Sequence, residues 1–334
     1  MRRLRAATLA VLMVLGLSVL VMACGGDDNG DEGGSPAAKD DVNLTQGSGL
    51  TIAMVTHGDG GSFWSVAKKG AEDGAKAMGV ELKYSESNND PEEQAQLIEG
   101  SVTEKVDGLA VSAPNPDAIK GAVQKAVNAG IPVITLNSGA EESADLGAIT
   151  HVGQTETIAG EGAGAKLKDA GATKMLCIIH EQGNVGLNQR CEGAKSGFGG
   201  DVENLQVAGT ADVSTSLTEI QSKLESDNSI DAVLALNPDI AMAARDAAEG
   251  ANSEAKVATF DLSGDVVKAI KDGSILFAVD QQQYLQGYLP IVFLALNKTN
   301  ANTVGGGQPV LTGPGFVEKD NADTVEKLAE EGTR

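Results

Sequence analysis

Short apolar runs alternate along the chain with stretches whose apolar residues recur at helical spacing. The first such unit spans residues 50–76, LTIAMVTHGDGGSFWSVAKKGAEDGAK. Residues 50–56 are mostly apolar, and β-branched Thr51, Ile52 and Val55 suit a buried strand. His57-Gly58-Asp59-Gly60-Gly61 breaks that run with glycines, which take positive φ at little cost. Ser62 is placed to cap the following helix by accepting from a free backbone N–H. In that helix Val66, Ala67, Gly70, Ala71, Gly74, Ala75 and Met78 form a narrow, mostly small stripe, which predicts close approach to a sheet. Phe63 and Trp64 stand at the helix start, beyond the carboxyl end of the strand, where open α/β sheets bind ligands. Trp64 is the sole tryptophan in a chain that is 3% aromatic, which favours a binding platform over core filling for at least one ring.

The pattern then repeats. Strands are predicted over 80–84, 107–113, 131–136 and 149–152, and helices over 90–104, 116–129 and 156–169. Pro91, just after Asp90, suits an early helical position because its missing N–H costs little there. A second series has strands over 174–179, 205–208, 232–236, 257–260 and 275–279. Its helices are predicted over 184–198, 214–224, 240–249, 263–271 and 284–297. Such alternation predicts an α/β protein with parallel, doubly wound sheets, and two similar series predict two Rossmann-like lobes facing across a cleft. Asn137, Asn237, Asp261 and Gln281 each follow an apolar run, and Arg190 lies on a helix that begins after one. Any one of these is equally a helix cap or turn residue. Several on facing lobes, together with an aromatic pair, point to a shared polar cleft.

The start of the chain has a different character. Arg2, Arg3 and Arg5 precede an uncharged apolar run over 6–23, the order of an export signal. Val21-Met22-Ala23-Cys24 resembles the bacterial lipobox, which implies a signal peptide over 1–23 and a diacylglyceryl group on Cys24. Residues 24–49 are rich in glycine and acids with little to bury, and read as a lipidated tether. The formal charge is -22, or -25 without the signal's arginines, which disfavours nucleic acid and anionic lipid as partners. Cys177 and Cys191 in an exported chain suggest a disulfide, with two free buried thiols as the alternative.

Catalytic chemistry finds no support. His57, His151 and His180 show no metal-binding spacing, and no Cys-x-x-Cys, G-x-S-x-G or P-loop occurs. Residues 160–165 contain G-x-G-x-x-A, but inside a predicted helix, where close packing explains it better than a dinucleotide. No catalytic residue, cofactor or metal is expected.

With these residues placed, the chain resembles the type I periplasmic sugar-binding proteins, typified by the ribose-binding protein. The resemblance spans about residues 50–317 and rests on TIAMVT with SFW and KKGA, IPVITLNSGA, QRCEG, VLALNPDIAMAA, VATFDLSGD and AVDQQQYLQG. It implies two lobes joined by three crossing segments, near Gln154, Gln281 and 307–311. The first lobe would then hold 50–154 and 282–309, and the second 155–281 and 310–334. It further implies a monomeric, lipid-anchored protein on the outer face of the cytoplasmic membrane. Such a protein delivers a pentose, hexose, inositol or sugar alcohol to ABC permease subunits served by a separate ATPase. A ligand sensor for a membrane kinase, or a binder of a furanosyl signal similar to autoinducer-2, is the alternative.

Carried over by position, Phe63 and Trp64 match the family's ring-stacking pair and Arg190 its guanidinium donor. Asn237, Asp261 and Gln281 match its amide and carboxylate partners. Asn137 and Ser138 stand where many relatives have an Asp-Arg pair, and Val213 where relatives have an aromatic. His57 and Asp59 are added candidates for hydroxyl contacts. Planar Asn, Asp, Gln and Arg groups bind vicinal hydroxyls in pairs. Replacing Arg190 or Asp261 by alanine is therefore expected to abolish binding and leave the fold intact.

Overall fold

A computed structural model describes residues 47–334. The signal segment, Cys24 and the tether up to residue 46 lie outside the described residues. The first series builds β1 (Thr51–Thr56), β2 (Glu81–Glu86), β3 (Gly108–Ser112), β4 (Val133–Asn137) and β5 (His151–Gly153), paired in the order β2-β1-β3-β4-β5. All of these pairings are parallel. The second series repeats the plan with β6 (Lys174–Ile179), β7 (Asp201–Gln206), β8 (Ala232–Ala235), β9 (Lys256–Phe260) and β10 (Phe277–Asp280), in the order β7-β6-β8-β9-β10. β11 (Val310–Leu311) closes the first sheet against β5, and β12 (Gly315–Glu318) runs antiparallel to β10 at the edge of the second.

Among the described residues ten helices flank the two sheets: α1 (Ser62–Met78), α2 (Pro91–Thr103), α3 (Pro116–Asn128), α4 (Glu156–Asp169), α5 (Val185–Phe198), α6 (Val213–Ser226), α7 (Pro238–Gly250), α8 (Gly264–Asp272), α9 (Gln283–Asn300) and α10 (Glu326–Glu330). Each sheet has an apolar cluster on either face, as strands covered by helices on both sides require. The predicted start at Asp90-Pro91 is seen directly: the Asp90 carboxylate accepts from the Glu92 and Glu93 N–H groups, and Pro91 is the first helical residue. Among the described residues no helix is long and apolar enough to cross a membrane.

Four local expectations change. Gly61, not Ser62, is the cap residue of α1, and the Ser62 hydroxyl instead donates across the cleft to Asp239 Oδ2 at 3.2 Å. The small stripe of α1 divides its work between two neighbours. Ala67, Ala71 and Ala75 pack with Ile52 and Met54 of β1, whereas a Cβ on Gly70 or Gly74 would run into the Tyr284 or Tyr288 carbonyl of α9. β7 lies at 201–206 rather than 205–208, because an edge strand with half its residues in solvent lacks a continuous apolar run. The third passage between sheets falls at 312–314, since Val310 and Leu311 still pair with Val152 and Gly153. That boundary lies a little beyond the 309/310 division expected from sequence.

Glycine also governs the pair α4 and α5. A Cβ on Gly160 or Gly164 would strike the Arg190 or Ala194 carbonyl, and one on Gly193 would strike that of Thr157. The G-x-G-x-x-A segment is thus a helix-packing seam, and it sets how near α5 brings Arg190 to α4. Cys177 of β6 is joined to Cys191 of α5 by a disulfide, with the Cα atoms 5.9 Å apart. Closing a loop of this length stabilises by roughly 3 kcal/mol in the chain-entropy model. The Cys177→Ala/Cys191→Ala variant is expected to lose about that amount in urea denaturation. An unchanged unfolding midpoint would show that the link adds nothing.

Candidate functional site

The chain passes between the sheets at 154–155, 281–282 and 312–314, and Thr312 ties the three passages together. Its hydroxyl donates to the Gln281 carbonyl at 2.7 Å, and its N–H donates to the Gly153 carbonyl at 2.7 Å. Gln282, whose φ is 58°, donates from its amide to the Thr312 carbonyl at 2.6 Å. A short hydrogen-bonded joint of this kind lets two rigid lobes turn on few backbone torsions.

Above the joint, the carboxyl ends of the strands in both sheets meet around a small cavity. Phe63, Trp64, Asn137, Ser138, Arg190, Asn237, Asp261 and Gln281 all line it, and so does His57. Asp59 does not: it faces an outer chamber, where its carboxylate accepts from the Thr210 hydroxyl of the other lobe. The rings of Phe63 and Trp64 meet edge to face at 4.9 Å, and the His57 ring meets Trp64 edge to face at 4.7 Å. Trp64 is 4% exposed and belongs both to the core and to the cavity wall.

Arg190 is held by a group that sequence reasoning passed over. Glu156, in the first turn of α4, takes Arg190 Nε on Oε2 at 2.6 Å and Nη2 on Oε1 at 2.9 Å. Gln154 donates to the same carboxylate at 2.9 Å, and the Phe260 ring lies 4.6 Å beneath the guanidinium carbon. Burial opposes the charge on Arg190, but Glu156 more than compensates and raises its pKa further. With Nε and one Nη2 hydrogen committed and Nη1 reaching the Leu236 carbonyl at 3.5 Å, the Nη1–Nη2 edge remains for a guest.

Asp261 and Asn137 both have left-handed backbone, at φ 70° and 62°. Asp and Asn tolerate that region better than most residues, which is why the strand ends carry them. Gln281 donates to Asp261 Oδ1 at 2.7 Å, and its own oxygen accepts from Gln286 at 2.8 Å. Asn137 donates to the Gln286 oxygen at 3.3 Å. Burial lifts the Asp261 carboxyl to about 7, against the pull of Arg190 and Gln281. Asn237 does both jobs that its sequence position allowed. Its oxygen caps α7 by accepting from the Asp239 N–H at 2.8 Å, while the residue lines the cavity.

Glu181, His180 and Asn184 also line the wall, as do Leu187 and Leu236, and none was singled out from sequence as a ligand contact. His180 and Glu181 follow the predicted strand over 174–179, so the strand-end rule that found Asn137 applied to them as well. Burial disfavours the Glu181 charge, yet His57 Nε2 at 3.5 Å, His180 Nε2 at 3.6 Å and the Asn184 amide at 2.6 Å bring its pKa down to about 2. Glu156 gave no comparable signal, because its partner lies 34 residues further along, beyond the rest of α4 and the whole of β6. Among the described residues no cluster of His, Cys, Asp and Glu is arranged to hold a metal ion.

Two α/β lobes, jointed at three crossings and enclosing a polar cavity at the strand ends, define a hinged solute-binding protein. The chain belongs to the periplasmic binding protein family, whose domain matches residues 52–298. Among its relatives, the ribose import binding protein of Haemophilus influenzae is 28% identical over 248 residues, 72% of this chain and 83% of that protein. A carbohydrate transporter from Acidothermus cellulolyticus 11B, solved in complex with myo-inositol, is 44% identical at a TM-score of 0.83. That alignment covers 85% of this chain and 99% of the other. A solute binding protein from Actinobacillus succinogenes with bound D-allose is 23% identical at a TM-score of 0.73 and shares the fold. The chain is a transport-type binding protein that works outside the cytoplasm, and not an enzyme.

Proposed function

We propose that this protein captures a neutral, ring-shaped polyol, with myo-inositol the leading candidate, and delivers it to an ABC importer. The observation that carries the reading is the convergence of Trp64, Asn137, Arg190, Asn237 and Asp261 from both lobes on one cavity. The charges there favour an uncharged guest. Arg190 is already neutralised by Glu156, so no free cation awaits a carboxylate or phosphate. What remains are amides, a carboxyl group and one guanidinium edge, which suit hydroxyls that donate and accept in turn. Asn137 and Ser138 contribute only uncharged polar groups to this wall. The 44%-identical relative bound to myo-inositol supports a cyclitol over an open-chain sugar alcohol.

The cavity has a volume of about 30 Å³, room for a single water. A ring therefore enters by parting of the lobes about the Thr312 joint, and closure over it shifts the population to the closed form. Anchoring through a lipid on Cys24 is part of the proposal, and Cys24→Ser should release the protein from the membrane fraction. Retention of that variant would remove the anchor. The ligand reading is tested by thermal shift against myo-inositol, ribose, allose, xylitol and an acidic sugar. A ligand at a hundredfold excess over Kd should stabilise by roughly 2.7 kcal/mol. Silence of every neutral polyol, with a response to the acid, would overturn the substrate class.

A further inference from the structure

The cleft continues outward into a second chamber of about 510 Å³, lined by both lobes. That volume lies within the range of roughly 300–1,000 Å³ in which small-molecule sites fall. It shares a wall with the inner cavity, formed by His57, His180, Glu181 and Asn184. This partition is made of side chains alone, with Asn184 and Glu181 joined at 2.6 Å and the remaining contacts looser or exchangeable. His57 Nε2 is 3.5 Å from Glu181 Oε2, and Ser138 donates to Asn184 Oδ1 at 2.8 Å. A bond leaving a ring in the inner cavity could replace these contacts and emerge into the chamber.

The chemistry of the outer chamber is specific. Asn88, Asn89, Gln94, Asn115 and Gln182 line it, five residues whose amides both donate and accept, although Gln94 already spends its Nε2 on the Ser112 carbonyl at 2.8 Å. Gln94 is fully buried, and its oxygen has no hydrogen-bond partner among the described residues; the same holds for His180 Nδ1. Leaving such groups unmet is unfavourable, which favours a polar guest over an aryl or alkyl one. Asp59, Glu181 and Asp239 also face the chamber, while among the described residues no lysine or arginine does. A phosphate would meet carboxylates without a compensating cation.

We propose that the protein takes O-glycosylated cyclitols, with the cyclitol in the inner cavity and a neutral glycosyl ring in the amide-lined chamber. The proposal rests on the cyclitol reading of the inner cavity. The test is calorimetry of the protein with myo-inositol, 1-O-α-galactosyl-myo-inositol and myo-inositol 1-phosphate, repeated on an Asn115→Ala/Gln182→Ala variant. The Asn115 side chain makes no cap bond and Gln182 is exposed, so this variant keeps the fold. The galactosyl compound should bind at least as tightly as myo-inositol, and the phosphate far more weakly. The variant should weaken the galactosyl compound about tenfold, equal to about 1.4 kcal/mol, and leave myo-inositol within about twofold. Binding of myo-inositol with rejection of the galactosyl compound would overturn the outer-chamber proposal alone. Equal weakening of both ligands in the variant would do the same. Failure of myo-inositol itself to bind would instead overturn the inner-cavity reading, and this proposal with it.

Discussion

Replacing Glu156 by alanine is expected to destabilise the protein by about 3–5 kcal/mol. The change strands the Arg190 guanidinium, which is 3% exposed and draws most of its compensation from that carboxylate, with Asp261 and Glu181 adding less. Removing one partner of a buried pair is costly because the surviving charge has lost water without gaining a counter-ion. Following the fluorescence of Trp64, the sole tryptophan, should show thermal unfolding lowered by on the order of 10 °C. Polyol affinity should fall as well, since Arg190 would no longer be held in place. A Glu156→Leu/Arg190→Met double variant should regain much of the stability but none of the binding. An unfolding temperature within about 1 °C of wild type for Glu156→Ala would show that the pair is not the keystone described here.

The same pairing corrects an expectation drawn from sequence. Arg190→Ala would leave Glu156 buried and unmatched, so it disturbs the fold along with the site. Asp261 offers the cleaner probe.

Asp261→Asn should weaken polyol binding by about 10- to 100-fold, the loss of one hydrogen bond to a charged group. Asparagine accepts the left-handed backbone at this position, whereas alanine would add strain. The variant should also change how stability depends on pH. Burial raises the Asp261 carboxyl to about 7, with Glu156 and Asp280 adding to the lift and Arg190 and Gln281 opposing it. In the unfolded chain it titrates near about 4. Between those values the native state holds a proton that the unfolded state has released. The contribution of this group to stability therefore falls as pH rises from about 4 toward 7, and the full cost is present above 7. Urea unfolding at about pH 5 and about pH 8 should show a smaller difference in Asp261→Asn than in wild type. Identical differences in the two proteins would refute the assignment.

Much of the architecture was legible in the chain because parallel strands covered on both faces leave continuous apolar runs, as KMLCII and IPVITL do. Helix α4 falls on the predicted 156–169, and its buried Ala159, Gly160, Ala163, Gly164 and Leu167 lie along one helical face. The polar residues at strand ends were legible for a related reason: a short polar side chain just past a buried run sits at a sheet edge whatever the remaining fold. Less visible were β7 and β12, which are edge strands with mixed exposure, and the position of the third crossing. β11 has only two residues, too few to show a period.

What the sequence determined by itself is the succession of strands and helices, and the polar residues placed at their carboxyl ends. Periodicity and turn chemistry act over a few residues, so they are written locally. Only the tertiary structure decided that Glu156 grips Arg190, that Ser62 reaches Asp239 rather than its own helix, and that Asp59 faces the outer chamber. Those choices depend on contacts between residues far apart in the chain. Local pattern carries no record of which distant partner will arrive.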